Sequence, residues 1–88
     1  MLRPKFTNKF KKQYELMKKR GLKIALLDDV MKSLLQGDVL DAKYRDHLLT
    51  GNFAGYRECH IQPDWLLIYY IEQDAIAFIA TGTHSDLF

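Results

Sequence analysis

Only one cysteine, Cys59, occurs in the 88 residues, so no internal disulfide can form and stability must come from packing. Its place in an apolar stretch predicts a buried thiol rather than a reactive one. No apolar run approaches the roughly 20 residues that a membrane-spanning helix needs, and no signal peptide opens the chain. There is no His-x-x-x-His or Cys-x-x-Cys pair, so the signal for a metal centre is weak. Glycine and proline are sparse, at five and two, and no low-complexity segment, internal repeat or linker interrupts the sequence. These absences point to a single cytoplasmic domain with an ordinary core, in keeping with an apolar share of 48%.

What is present begins with charge. The net value of +2 hides an asymmetry: residues 1–44 carry eleven Lys and Arg against five Asp and Glu, and residues 45–88 carry two against six. Most of the excess precedes Ile24, on Lys5, Lys9, Lys11, Lys12, Lys18, Lys19, Arg20 and Lys23. Such a cluster reads either as a solvated helix face or as a footprint for a polyanion.

Leu2 to Phe6 predicts a short strand, which Pro4 confines to a sheet edge or a non-bonding position. Thr7 or Asn8 can cap the helix that follows. Phe6, Phe10, Tyr14 and Met17 recur at helical spacing opposite the lysines, and Gly21 ends the helix. A second helix runs from about Lys23 to Gln36 and closes at Gly37. Its buried face is Ile24, Leu27, Val30, Met31, Leu34 and Leu35. Neither helix can bury its stripe alone, so the two should form an antiparallel hairpin packed on a sheet. From Asp38 to Ala54 no period is clean, which predicts an extended connection anchored by Leu40, Tyr44, Leu48, Leu49 and Phe53. Three strands close the chain. Tyr56 to Ile61 mixes polar and apolar residues; Trp65 to Ile71 is unbroken and apolar, hence central and covered on both faces; Ala75 to Ala80 is the third. Gln62-Pro63-Asp64 and Glu72-Gln73-Asp74 supply the turns. The expected fold is α+β, a two-layer β-α-α-β-β-β domain with a helical hairpin on a mostly antiparallel sheet.

Two successive hairpins bring the end of the third strand back to the first turn. His60, Asp64 and Trp65 surround that turn, and Thr81-Gly82-Thr83-His84 leaves the third strand at the same end. Two histidines, a carboxylate and an indole should therefore converge. His47 sits in the connection, where working residues held on a rigid scaffold often lie. Two kinds of site use such a set. One is a metal centre with His and carboxylate ligands. The other is metal-free acid–base chemistry, for which histidine's reference pKa of about 6.5 is suited. RNA cleavage is the natural case of the second, because the 2′-hydroxyl is an internal nucleophile. Trp65 and Phe88 offer rings on which bases could stack, although Trp65 reads equally well as a strand-end core residue.

His47-Leu-Leu-Thr-Gly51, Gly55-Tyr-Arg-Glu-Cys-His60, Pro63-Asp-Trp-Leu-Leu-Ile-Tyr69 and Thr81-Gly-Thr-His-Ser-Asp-Leu-Phe88 resemble the YafQ branch of the RelE/ParE toxin superfamily. The match spans nearly the whole chain in the same element order. Members are toxins of bacterial toxin–antitoxin pairs that enter the ribosomal A site and cut mRNA. The resemblance implies a catalytic set of His47, His60, Asp64 and His84, with Trp65 and Phe88 supporting RNA placement. It also accounts for the basic first helix, whose Lys9, Lys11 and Lys12 would meet ribosomal RNA phosphates. Relatives often have Arg immediately before Thr-Gly-Thr-His, where this chain has Ala80. Holding phosphate would then fall to a helix lysine or to Arg57, or activity would be weaker. The implied partners are a cognate antitoxin, the ribosome and mRNA, with operator DNA reached only through the antitoxin complex. No metal, cofactor or membrane is expected. Two rivals stand beside this reading: a non-catalytic gyrase inhibitor of a sister branch, and a metal-dependent hydrolase.

Overall fold

A computed structural model describes residues 1–88. Strand β1 (Arg3–Phe6) leads into helices α1 (Asn8–Lys19) and α2 (Ile24–Leu35). After two short 3₁₀ turns and a two-residue strand β2 (His47–Leu48) come β3 (Arg57–Gln62), β4 (Trp65–Ile71), β5 (Ala75–Gly82) and a one-turn helix α3 (His84–Leu87). The sheet order is β1-β5-β4-β3-β2, with β1 parallel to β5 and every other pair antiparallel. The apolar run of β4 thus forms the middle strand, and Trp65 to Tyr69 are all buried. Pro4 lies on an edge strand, where its missing N–H costs the ladder nothing.

Thr7 starts α1 by accepting the Phe10 N–H at 3.0 Å, while its own hydroxyl donates to the Ile79 carbonyl at 2.8 Å. That single residue caps the helix and ties it to β5. Gly21 and Gly37 follow the two helices at φ 82° and 80°, the left-handed values that end a helix cheaply. Helix residues Phe10, Met17, Leu27, Val30, Met31 and Leu34 pack with Cys59, Ile61, Trp65, Leu67, Tyr69, Ile76 and Phe78 of the sheet into one core. Cys59 is buried, as expected, and burial pushes its thiol up to about 12.

Strand alternation sends Glu58, His60, Leu66, Ile68 and Tyr70 to the other face. On β5 an irregularity does the same work. Ile68 pairs with Ala80 but Tyr69 pairs with Phe78, so Ile79 is an extra residue. This bulge reverses the alternation beyond it, putting Thr81 on the helix side and Ala80 and Gly82 on the opposite side.

Three details differ from the sequence reading. The connection from Asp38 to Ala54 is not simply extended: it holds 3₁₀ turns at Ala42–Tyr44 and Gly51–Phe53 and the strand β2, which pairs with β3. Strand β5 runs two residues beyond Ala80, because Thr81 and Gly82 still pair with Leu67 and Leu66. The residues after it form α3. No helix is long and apolar enough to cross a membrane.

Candidate active site

The first β-hairpin ends at one corner of the sheet, and His60, Asp64 and His84 meet there with His47 beside them. Asp64, in the β3–β4 turn, accepts two hydrogen bonds from His84: one from its backbone N–H at 3.1 Å and one from Nδ1 at 2.8 Å. A carboxylate only accepts, so Nδ1 carries a proton and Nε2 is left free. The same two bonds hold the Asp64 carboxyl below its ordinary range, the side-chain bond more than the backbone one. The His60 ring lies 5.9 Å from that of His84, and His47 lies 6.4 Å from His60, centroid to centroid. Three imidazoles thus form a row along the sheet's end, supplied by β2, β3 and α3.

A fourth group joins them that the sequence pattern alone does not single out. Glu58 is directly opposite His47 in the β2–β3 pair and only 6% exposed. Its carboxylate lies 3.6 Å from His47 Nε2 and 3.7 Å from His60 Nε2. The other ring nitrogens are committed: His47 Nδ1 donates to the Arg45 carbonyl at 2.6 Å and His60 Nδ1 to the Pro63 carbonyl at 3.2 Å. Each Nε2 is therefore a lone-pair nitrogen in the neutral ring, facing a buried carboxylate just beyond hydrogen-bond reach. The signal available in the sequence was the spacing, since Glu58 and His60 are two apart and must share a strand face.

His84 is aimed by its own helix. Thr83 caps α3 by accepting the Asp86 N–H at 3.1 Å, and Asp86 accepts the Thr83 N–H at 2.8 Å, a reciprocal capping box. Arg20, at the end of α1, donates to both Asp86 oxygens at 2.7 and 3.0 Å. This fork is the main cause that drives the Asp86 carboxyl well below its ordinary range. Gly82 is needed for room more than for turning, because a Cβ there would lie 2.8 Å from the Asp86 Cβ.

The remaining residues divide. Phe88 is 59% exposed and meets Phe53 edge to face, with ring centres 5.4 Å apart. Trp65 is 1% exposed, and its indole N–H donates to Thr81 at 3.0 Å. It is a core residue that offers no face for stacking, and this corrects the expectation that it contacts RNA. Lys9, Lys11 and Lys12 are exposed on α1, on the helix-covered side of the sheet rather than at the histidine corner. Arg57 does not join the histidines either: it shares the Tyr69 face and is paired with Asp46 through Nε at 3.3 Å. Two other cations do border the corner. Lys43 and Arg45 line a cavity of about 470 Å³ together with Tyr44, His60, Gln62 and Pro63, and neither forms an ion pair.

The family model for YafQ, a bacterial toxin of type II toxin–antitoxin systems, matches residues 2–88. The mRNA interferase toxin YafQ of Escherichia coli (strain K12) is 37% identical over 84 residues, covering 94% of this chain and 91% of that protein. In the crystal structure of the E. coli DinJ–YafQ complex, a chain 35% identical superposes with a TM-score of 0.93 over 100% of this chain and 99% of that one. The crystal structure of a metal-bound toxin from Helicobacter pylori is similar at 37% identity and a TM-score of 0.93 over the whole of both chains.

Proposed function

Since the chain belongs to the YafQ family of type II toxins, endoribonucleases of the mRNA interferase kind, we propose that it cuts mRNA in the ribosomal A site by metal-independent acid–base catalysis. The observation that carries this reading is the His84–Asp64 contact beside the other two imidazoles.

The nucleophile is the RNA's own 2′-hydroxyl. Its oxygen attacks the adjacent phosphorus, a 2′,3′-cyclic phosphate forms, and the 5′-oxygen of the next nucleotide leaves. One group must take the 2′ proton and another must give one to the leaving oxygen. His84 is the acid: Asp64 fixes its Nδ1–H and supports the imidazolium, so Nε2 holds the proton to be donated. Asp64 is engaged by that task, which leaves His60 as the base. When its Nε2 takes the 2′ proton, the Glu58 carboxylate stabilises the new positive charge, and His47 shares the same carboxylate. Charge building on the phosphorane falls to Lys43 and Arg45 beside His60, in place of an arginine at Ala80. Phe88 supports a base next to the scissile bond. The lysines of α1 approach ribosomal RNA phosphates.

The partner is a cognate antitoxin, since the E. coli relative is found in complex with DinJ; by covering α1 and the histidine corner it would block entry to the ribosome. Operator DNA is reached only through that complex.

The test is cleavage of mRNA with and without programmed ribosomes. We expect cutting in the A site, 2′,3′-cyclic phosphate ends, and no cutting of free mRNA. Equal cleavage of free mRNA would remove the ribosome from the reading. Chelating transition metals, at Mg²⁺ levels that keep ribosomes intact, should leave the rate unchanged. Loss of activity restored by Zn²⁺ would move the assignment to a metal-dependent hydrolase.

A further inference from the structure

We propose that the ion pair between Arg20 and Asp86 is the device that positions His84, making Arg20 a positioning residue rather than one of the phosphate-binding cations of α1. The proposal rests on the reading of His84 as the general acid.

A helix of four residues has no stability of its own, since nucleation alone is unfavourable and short helices depend on tertiary contacts. What grips α3 therefore decides where His84 points. Asp64 holds the imidazole and the first backbone N–H, but that grip lies on the loop side, and Asp64 is itself exposed. The second grip is Asp86, two residues on. One carboxylate there does two tasks: it accepts the Thr83 N–H at 2.8 Å to close the capping box and receives both arms of the Arg20 guanidinium at 2.7 and 3.0 Å. A planar fork on a planar carboxylate restricts rotation as well as distance, which a single lysine ammonium would not. Arg20 is rigidly placed in turn, because it caps α1 and its backbone N–H donates to the Leu16 carbonyl at 3.0 Å. Gln13, on the same helix, accepts the Thr81 N–H at 3.0 Å. The end of β5 and the start of α3 are thus both registered against α1. Gly82 completes the arrangement, because any side chain there would push Asp86 away.

A surface salt bridge is worth little as stability, so the effect should appear in catalysis. Misplacing a catalytic group by about 1 Å can cost on the order of 10²-fold in rate. The measurement compares the full-length parent with Arg20→Ala, Asp86→Asn, the double variant and Arg20→Lys. Asp86→Asn keeps an oxygen for the Thr83 cap and removes only the ionic partner, so it guards against simple loss of the helix. We expect either single change to slow single-turnover cleavage at saturating ribosomes by about 10- to 10²-fold, with ribosome affinity near parental. The double variant should be no slower than the singles, because both remove one coupled interaction. Arg20→Lys should recover part of the rate. The nitrogen NMR signals of the His84 ring, read without any RNA, should shift in Arg20→Ala and Asp86→Asn alike.

Parental cleavage rates in both single variants would overturn the proposal. So would weaker ribosome binding in Arg20→Ala with parental or tighter binding in Asp86→Asn, which would make Arg20 a phosphate contact. If the parent itself fails to cut ribosome-bound mRNA, the cleavage reading falls on its own. The NMR arm still decides positioning: unchanged His84 signals in Arg20→Ala would overturn it, and shifted ones would support it.

Discussion

The two faces of this sheet are made from alternate residues of the same strands, and they do different work. On β3, Cys59 and Ile61 turn toward the helices and are buried in the core, while Glu58 and His60 turn the other way and meet His47. The helix side holds Trp65, Leu67, Tyr69 and Phe78 in fixed apolar packing. The opposite side is also buried at its centre, at Leu66, Ile68 and Ala80. At one corner it gives way to titratable groups whose partners come from β2, the first turn and α3. One face should therefore control whether the protein folds, and the other whether it cuts.

The sharpest way to test that division is a pair of substitutions, one on each side. His84→Ala should lower single-turnover cleavage by about 10²–10⁴-fold, the usual cost of losing a general acid, with thermal unfolding almost unchanged. Trp65→Ala should do the reverse. Removing a buried aromatic costs about 3–5 kcal/mol of stability, while cleavage per folded molecule stays near parental. Urea unfolding and active-site-normalised rates measure both. A Trp65 variant that is stable but inactive would break the division between the faces.

Glu58→Gln is the intermediate case, because Glu58 is buried yet belongs to the working corner. Losing its charge while keeping its shape should slow cleavage by about 10- to 10²-fold, the range for interactions with charged groups. A rate equal to the parent's would leave Glu58 a structural residue. Lys11→Ala with Lys12→Ala probes the helix side at its solvent surface. Ribosome affinity should fall and its salt dependence flatten by about one to two charges, with single-turnover cleavage at saturation near parental.

The smallest effect concerns pH. Hydrogen bonds from His84 hold the Asp64 carboxyl, and the Arg20 fork holds that of Asp86, below the ordinary carboxylate range in the folded protein. A lowered carboxyl contributes stability that is fully present above its unfolded value and is lost as pH falls through the folded one. The attachment of α3 should thus be intact at neutral pH and loosen only below about pH 4, Asp64 before the more strongly shifted Asp86. Backbone amide signals of His84 to Phe88 followed by NMR from pH 7 downward would show this order. Loosening near pH 6 would contradict it.

How much of this was legible in the sequence depends on whether support is local. The β4 run, the Thr7 cap and the helix-ending glycines carry their cause within a few residues, and each appears where expected. The meeting of His60, Asp64 and His84 was legible because two hairpins dictate it. Strand β2 and helix α3 were not, since two residues and four have no period, and each exists only through partners far along the chain. Glu58 escaped notice because its importance comes from register with His47. Arg57 illustrates the same rule in reverse: three residues from His60, it must face the other side of the strand. Trp65 begins the alternation that continues in Leu67 and Tyr69, which is why it is core and not a stacking platform. On β5 plain alternation would mislead, because the bulge at Ile79 reverses the faces.

The central claim is that the histidine corner moves protons for an attack made by the RNA itself. It is tested most directly with a ribosome-bound mRNA carrying one 2′-deoxynucleotide on the 5′ side of the scissile phosphate. The account predicts no cleavage at that position, with the unmodified mRNA cut normally in the same preparation. Cleavage of the deoxy-substituted mRNA at the parental rate would contradict it, since the attacking oxygen would then have to come from elsewhere.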